Sequence, residues 1–179
     1  MNEQKAVWFS TFRYVVPAEY EAWLERMAAE GWNIDRIGQW SSVRMVFHKT
    51  LPKRYRYVFD INLKPDKSYM AAYEEFGWEF AGQTGNCFIW RREYESVRPE
   101  SFSDPESIEK RNKGVLRAVS FSFWALLAVF AVLLALMFIR AGSLSPSDTG
   151  QYALGLIISG GMSLYLGWVM KEIYLNRFR

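Results

Sequence analysis

The sequence predicts an α+β fold class: a duplicated βαββ domain with about six mostly antiparallel strands and two helices, followed by a two-helix transmembrane hairpin. Three observations predict it. Charge is concentrated in residues 1–113, with 17 Lys/Arg and 17 Asp/Glu, against seven charged residues from Gly114 onward. Two amphipathic runs in the charged part end in the same Gly-Trp pair, at Gly31-Trp32 and Gly77-Trp78. Two apolar stretches close the chain, at 115–139 and 152–170.

The repeated units occupy residues 1–95. Val7–Phe12 reads as a first strand. The run from Tyr20 to Gly31 then places Tyr20, Trp23, Leu24, Met27 and Ala28 on one helical face. Pro17 suits a first helical turn, and Glu19 and Glu21 favour the positive end of its dipole. Strands are expected at 33–39 and 42–49, joined by a turn at Gln39-Trp40-Ser41. The pattern repeats. In Tyr55–Ile61, Tyr55, Tyr57, Phe59 and Ile61 alternate with Arg56, Val58 and Asp60, the period of a half-buried strand. A helix carrying Tyr69, Ala72, Tyr73 and Phe76 follows, then strands at 79–83 and 87–94 about a Thr84-Gly85-Asn86 turn. Gly31 and Gly77 suit the left-handed residue that ends a helix, with the following Trp folding back over the last turn. Both helices are expected on one face of the sheet. Residues 96–114, with Pro99, Pro105 and several Ser, read as a linker.

Residues 115–139 are apolar except for Arg117 near their start, and as a helix would rise about 37 Å. Residues 152–170 carry no charge and would rise about 28 Å. The short loop 140–151 makes the two spans antiparallel neighbours. Lys110, Arg111, Lys113 and Arg117 precede the first span, and Lys171, Arg177 and Arg179 follow the second, whereas the loop holds one Arg and one Asp. The positive-inside rule therefore puts both termini, including the basic tail 171–179, in the cytoplasm of a multi-pass cell-membrane protein. The basic residues Lys110, Arg111, Lys113, Arg117, Lys171 and Arg177 are candidate contacts for anionic lipid head groups. Small residues recur at Gly155, Ser159, Ser163 and Gly167, one ridge of the second span, where close helix packing is expected. Ala118, Ser122, Ala125, Ala128, Ala131 and Ala135 form a comparable stripe on the first. The ridge on the second span either packs the hairpin on itself or docks a partner helix or second copy.

No constellation in the sequence amounts to a catalytic signature, and a non-enzymatic role is expected. His48 is the single histidine and Cys87 the single cysteine, too few ligands for a transition-metal site, so neither metal nor cofactor is expected. Gly82-Gln-Thr-Gly85 lacks the Lys-Ser/Thr of a phosphate loop. The balanced charge of residues 1–113 argues against nucleic acid as a partner, because such binding needs a basic face that displaces counterions. Strand aromatics are in surplus, however. Trp8, Tyr55, Tyr57, Phe88 and Trp90 are the candidate partner or ligand surface, on a sheet face opposite the helices.

Glu21–Trp32, the strand beginning Lys53-Arg54-Tyr55-Arg56-Tyr57, the helix end Phe76-Gly77-Trp78 and the strand Gly85–Arg91 resemble the DUF2812 family. The resemblance covers about residues 5–95. The duplicated βαββ pattern itself reads as ferredoxin-like; the resemblance implies a bacterial, membrane-tethered protein encoded near PadR-like transcriptional regulators, and it supplies no catalytic residues. The expected function is a sensory or interaction module that binds a protein partner or hydrophobic ligand at the cytoplasmic membrane face, with membrane lipids and either a protein partner or a second copy as its partners. The alternative is an accessory subunit of a membrane transport or envelope-stress complex, docked through its spans.

Overall fold

The computed structural model describes residues 3–62, 64–100, 105–143 and 145–176, the side chains of 105–108 and 111 excepted. The chain forms two units, the first ending at Asn112 and the second beginning at Lys113.

In the first unit, β1 (Gln4–Trp8) leads through a short helix α1 (Ser10–Arg13) to α2 (Pro17–Ala29), then β2 (Trp32–Asn33), a 3-10 turn at Gln39–Ser42 and β3 (Arg44–Lys49). The second half runs β4 (Tyr55–Ile61), α3 (Lys67–Glu75), β5 (Glu79–Thr84) and β6 (Cys87–Glu93). The strands form two three-stranded antiparallel sheets, ordered β1-β3-β2 and β4-β6-β5, rather than one sheet of six. The sheets touch through one parallel bridge between Ile37 and Gly82. Ile37 N donates to Ala81 O at 2.8 Å, and Gln83 N donates to Ile37 O at 3.0 Å. Gly82 sits at φ +139°, and a Cβ there would lie 1.9 Å from Ile37 O, so only glycine fits.

This bridge explains why 33–39 is not a strand as expected. After Asn33 the chain leaves the first sheet and gives the backbone of Ile37 to the second. The expected strand 7–12 also ends early. Phe9 turns into the left-handed region at φ 53°, and Ser10–Arg13 coil into α1. The two helix ends follow the sequence expectation, with Gly31 at φ 82° and Gly77 at φ 76°.

The core has two parts. Tyr20, Trp23, Leu24, Met27 and Ala28 of α2 pack with Met45 and Phe47 of β3 and with Tyr55, Tyr57, Ala81 and Ile89 of the second sheet. Val58, Trp78, Phe88 and Trp90 form the other part, with Tyr69, Met70 and Tyr73 of α3 packed on them. Because alternate residues of β4 and β6 enter different clusters, α2 and α3 cover opposite faces of the second sheet. The expectation of both helices on one face is therefore corrected. Each large side chain buried in this way contributes about 1.5–3 kcal/mol, so both faces add to stability.

Helix α4 (Pro105–Ile139) begins inside the stretch expected to be linker, and α5 is Pro146–Leu175. Two segments are long and apolar enough to cross a membrane: Asn112–Ile139, mean hydropathy 2.6, and Pro146–Leu175, mean hydropathy 1.6. Ser145 caps α5 by accepting from Asp148 N at 3.2 Å, while the Asp148 carboxylate accepts from Ser145 N at 3.3 Å.

Candidate docking surface

The most heavily bonded charged cluster lies on the outer edge of β4. Phe59 N donates to Glu21 Oε1 at 3.0 Å, and Tyr57 N donates to Glu25 Oε1 at 3.2 Å. Carboxylates at i and i+4 of a helix are spaced about 6 Å along its axis, and amides at i and i+2 of a strand about 6.7 Å. The helix thus seals alternate amides of an edge strand. Arg56 Nη1 joins both acids, at 3.0 Å to Glu21 and 2.8 Å to Glu25, and also donates to the Tyr57 carbonyl. Arg98, beyond β6, closes on Glu25 from outside at 3.0 Å. Glu21 is thus buried in an ion pair rather than serving the helix dipole. Both carboxylates and Arg56 Nη1 are engaged, although the buried Arg56 Nε has no hydrogen-bond partner, and we read the cluster as structural.

A second polar network lies under α3. Tyr69 and Tyr73 hydroxyls donate to Asp60 Oδ2 at 3.0 and 3.2 Å, and Trp90 Nε1 donates to Tyr69 Oη at 3.1 Å. The Tyr73 ring stacks on Trp90 with centroids 4.3 Å apart and planes 5° from parallel. Burial, reinforced by the Asp60 charge, pushes both phenols well above the ordinary tyrosine range. Burial also raises the Cys87 thiol to about 11, so it is protonated at neutral pH. His48 lies on β3 with its Nε2 3.7 Å from Asp35 Oδ2. Among the described residues, no three His, Cys, Asp or Glu side chains come together as a metal site.

The candidate aromatic surface divides. Tyr55, Tyr57, Phe88 and Trp90 are 7, 1, 4 and 0 % exposed, so these four lie in the core and line no open face. Both faces of the second sheet are covered, which accounts for the aromatic surplus. Trp8 alone of the five is exposed, at 59 %. It belongs to a patch that the strand pattern concealed. Its ring centroid is 6.3 Å from that of Phe9, which lies 5.9 Å from that of Phe12, and Phe9 and Phe12 are about half exposed. Trp40, 82 % exposed, stands in the 3-10 turn bonded to this corner: Phe9 N donates to Val43 O, and Thr11 Oγ1 to Ser42 O. The Arg44 guanidinium lies 5.7 Å from the Trp8 ring. The left-handed backbone at Phe9 is uncommon for a bulky residue. It ends β1 at the patch and turns the chain into α1. The sequence expectation ran the strand on through the Phe-Ser-Thr-Phe run to Phe12, across this turn.

In the second unit, the small-residue ridge meets the bulky face of α4. A Cβ on Gly155 would stand 3.0 Å from Leu133, one on Gly160 3.1 Å from Phe130, and one on Gly167 3.6 Å from Phe123. Partner numbers fall along α4 as they rise along α5, as antiparallel packing requires. Ser159 and Ser163 are buried, and their hydroxyls donate to Gly155 O and Ser159 O. The ridge is therefore occupied within the hairpin, whereas Ala118, Ser122, Ala125, Ala128, Ala131 and Ala135 of α4 are exposed. An open groove of about 580 Å³ at the loop end is lined by Leu133, Arg140, Ser143, Asp148, Gln151 and Tyr152. Lys110, Lys113, Arg117 and Lys171 are exposed. The Arg111 side chain and Arg177 lie outside the described residues.

No curated protein and no solved structure matches this chain. A family model does match, over residues 17–124, which include α2, the Glu21–Arg56 cluster, both sheets except β1, and the first part of α4. Spanning more than half of the chain, that match places it in the family described as protein of unknown function, DUF2812.

Proposed function

We propose that this chain is a non-enzymatic, membrane-tethered docking module whose patch at Trp8, Phe9 and Trp40 engages a protein partner at the cytoplasmic membrane face. The observation that carries this reading is the exposed aromatic corner, built on a left-handed Phe9 beside Arg44. Aromatic and Arg side chains dominate protein-binding hot spots, and rings presented on a strand end and a tight turn suit a flat partner better than an enclosed ligand. The two apolar helices supply the tether. In this reading both termini are cytoplasmic, and Lys110, Lys113, Arg117 and Lys171 hold anionic head groups at about 1 kcal/mol each. We also read the repeated strand–helix–strand–strand order as a duplicated, ferredoxin-like unit.

The test is purification of the tagged full chain from its native membranes in mild detergent, beside a Phe9→Ser/Trp40→Ser variant. A stoichiometric partner that is lost only from the variant supports the reading. A partner retained by the variant sinks it. A second reading, an accessory subunit of a membrane complex, is favoured by the exposed small-residue face of α4. In that case Ala125→Leu/Ala128→Leu would release the partner, and the patch variant would keep it.

A further inference from the structure

The two sheets have four edges, and the chain treats them differently. The β4 edge is sealed by Glu21 and Glu25, and the β5 edge by the backbone of Ile37. The β2 edge is two residues long. The β1 edge is five residues long and open. Glu3 O accepts from Lys49 N at 2.9 Å, and Phe9 N donates to Val43 O at 2.8 Å. By the alternation of an antiparallel ladder, residues 3, 5, 7 and 9 bond β3, while Gln4, Ala6 and Trp8 turn their backbone groups outward. Among the described residues, none bonds those outward groups. Lys commonly guards such an edge, but Lys5 lies with its ammonium 5.4 Å from the Trp32 ring.

We propose that β1 pairs with β1 of a second copy of this chain, antiparallel about a two-fold axis at Ala6, to give one continuous six-stranded sheet. Self-pairing in this register uses every outward group. Gln4 meets the partner's Trp8, Ala6 meets the partner's Ala6, and the three pairs exchange about six hydrogen bonds. The residues between them are also compatible. Lys5 faces the partner's Val7, so no like charges stand opposite one another. A residue on a dyad meets itself, and the position is filled by the small, uncharged Ala6. Among the described residues, shifting the register by one pair in either direction leaves Gln4 or Trp8 without a bonded partner. This inference rests on the backbone of β1 and is independent of the Phe9 and Trp40 side chains that test the docking reading.

The experiment uses the full chain in its membrane with Cys87→Ala, and single cysteines at Ala6→Cys or Gln4→Cys. Bonded antiparallel partners have Cα atoms about 5.5 Å apart. The two copies of residue 4 would be offset by four residues, about 13 Å along the strand. A short bis-methanethiosulfonate reagent is expected to cross-link most of the Ala6→Cys chains and at least tenfold fewer of the Gln4→Cys chains. Ala6→Pro removes one outward N–H without touching the β3 ladder. By light scattering in mild detergent, it is expected to convert a dimer to a monomer. Equal cross-linking at the two positions, a monomeric parent chain, or a dimer that persists with Ala6→Pro would overturn the proposal. Should the proline variant fail to fold, the cysteine pair decides alone.

Discussion

Replacing Glu21 with Ala tests the claim that α2 holds the edge of β4. The side chain accepts from Arg56 Nη1 at 3.0 Å and from Phe59 N at 3.0 Å. Both ion-pair partners are largely buried, with side chains 10 % exposed for Arg56 and 4 % for Glu21. Breaking a buried pair by removing one partner costs about 3–5 kcal/mol, because the other charge is left uncompensated. Here Arg56 keeps Glu25 at 2.8 Å, which moves the expectation to the lower end of that range. The stranded Phe59 amide adds about 1 kcal/mol or more if water cannot reach it. We therefore expect a loss of about 4 kcal/mol, or about three decades in the unfolding equilibrium. Glu21→Gln keeps an acceptor for Phe59 and is expected to lose less. Glu93→Ala removes the exposed Lys53–Glu93 pair, at 3.2 Å, and is expected to cost below about 1 kcal/mol. The assay is urea unfolding of the full chain in mild detergent, followed by near-ultraviolet circular dichroism. If Glu21→Ala falls within about 0.5 kcal/mol of Glu93→Ala on the scale of those expectations, the edge-clamp reasoning is refuted.

Three further outcomes are expected. Gly82→Ala places a Cβ against Ile37 O at a backbone angle that alanine rarely adopts. It should cost several kcal/mol and deprotect the Ile37 and Gln83 amides in hydrogen exchange before the β4–β6 ladder; uniform deprotection would contradict a local bridge. Tyr20, Tyr57, Tyr69 and Tyr73 all have raised pKa values, first through burial, with Tyr57 near 12. The unfolded chain releases these protons near pH 10 and the folded chain does not, so their stabilisation is complete below pH 10. It is lost as pH rises towards the folded values, at about 1.4 kcal/mol per pH unit for each such phenol. Tyrosinate absorbance at 295 nm should then rise together with the loss of near-ultraviolet dichroism, and full ionisation with unchanged dichroism would refute it. In the hairpin, Gly160→Leu forces a branched side chain against Phe130. It should raise the accessibility of single cysteines along the α4–α5 contact, whereas Gly161→Leu, with open space at its Cβ, should not.

What the sequence disclosed was local. The Gly-Trp pairs located both helix ends, because a left-handed residue and a following apolar side chain are short-range requirements. The strand Tyr55–Ile61 and the hairpin 79–93 were legible from alternation and the turn glycine. Alternation does not say what covers each face, however. Tyr57 and Trp90 were expected together on one open sheet face, and both are buried because α2 and α3 lie on different faces. The Glu21–Arg56 pair joins residues 35 positions apart. Nothing within one turn of Glu21 distinguishes an acid that seals a strand from one that serves a helix dipole. Phe9 was hidden for the opposite reason. Its neighbours favour an extended chain, and tertiary bonds to Val43 and Ser42 override them.

The backbone at Phe9 bears on how this chain should be engineered. A left-handed conformation costs a residue with a side chain about 1–2 kcal/mol, and glycine forfeits roughly 0.5–1 kcal/mol in chain entropy to occupy it freely. Because the Phe9 ring is half exposed, it recovers little of that difference by burial. A directed-evolution campaign selecting only for heat resistance is therefore expected to converge on glycine at this position. It would strip an aromatic anchor from the corner where binding is proposed. A thermostabilised version of the chain, the natural choice for a partner screen, would be the wrong bait.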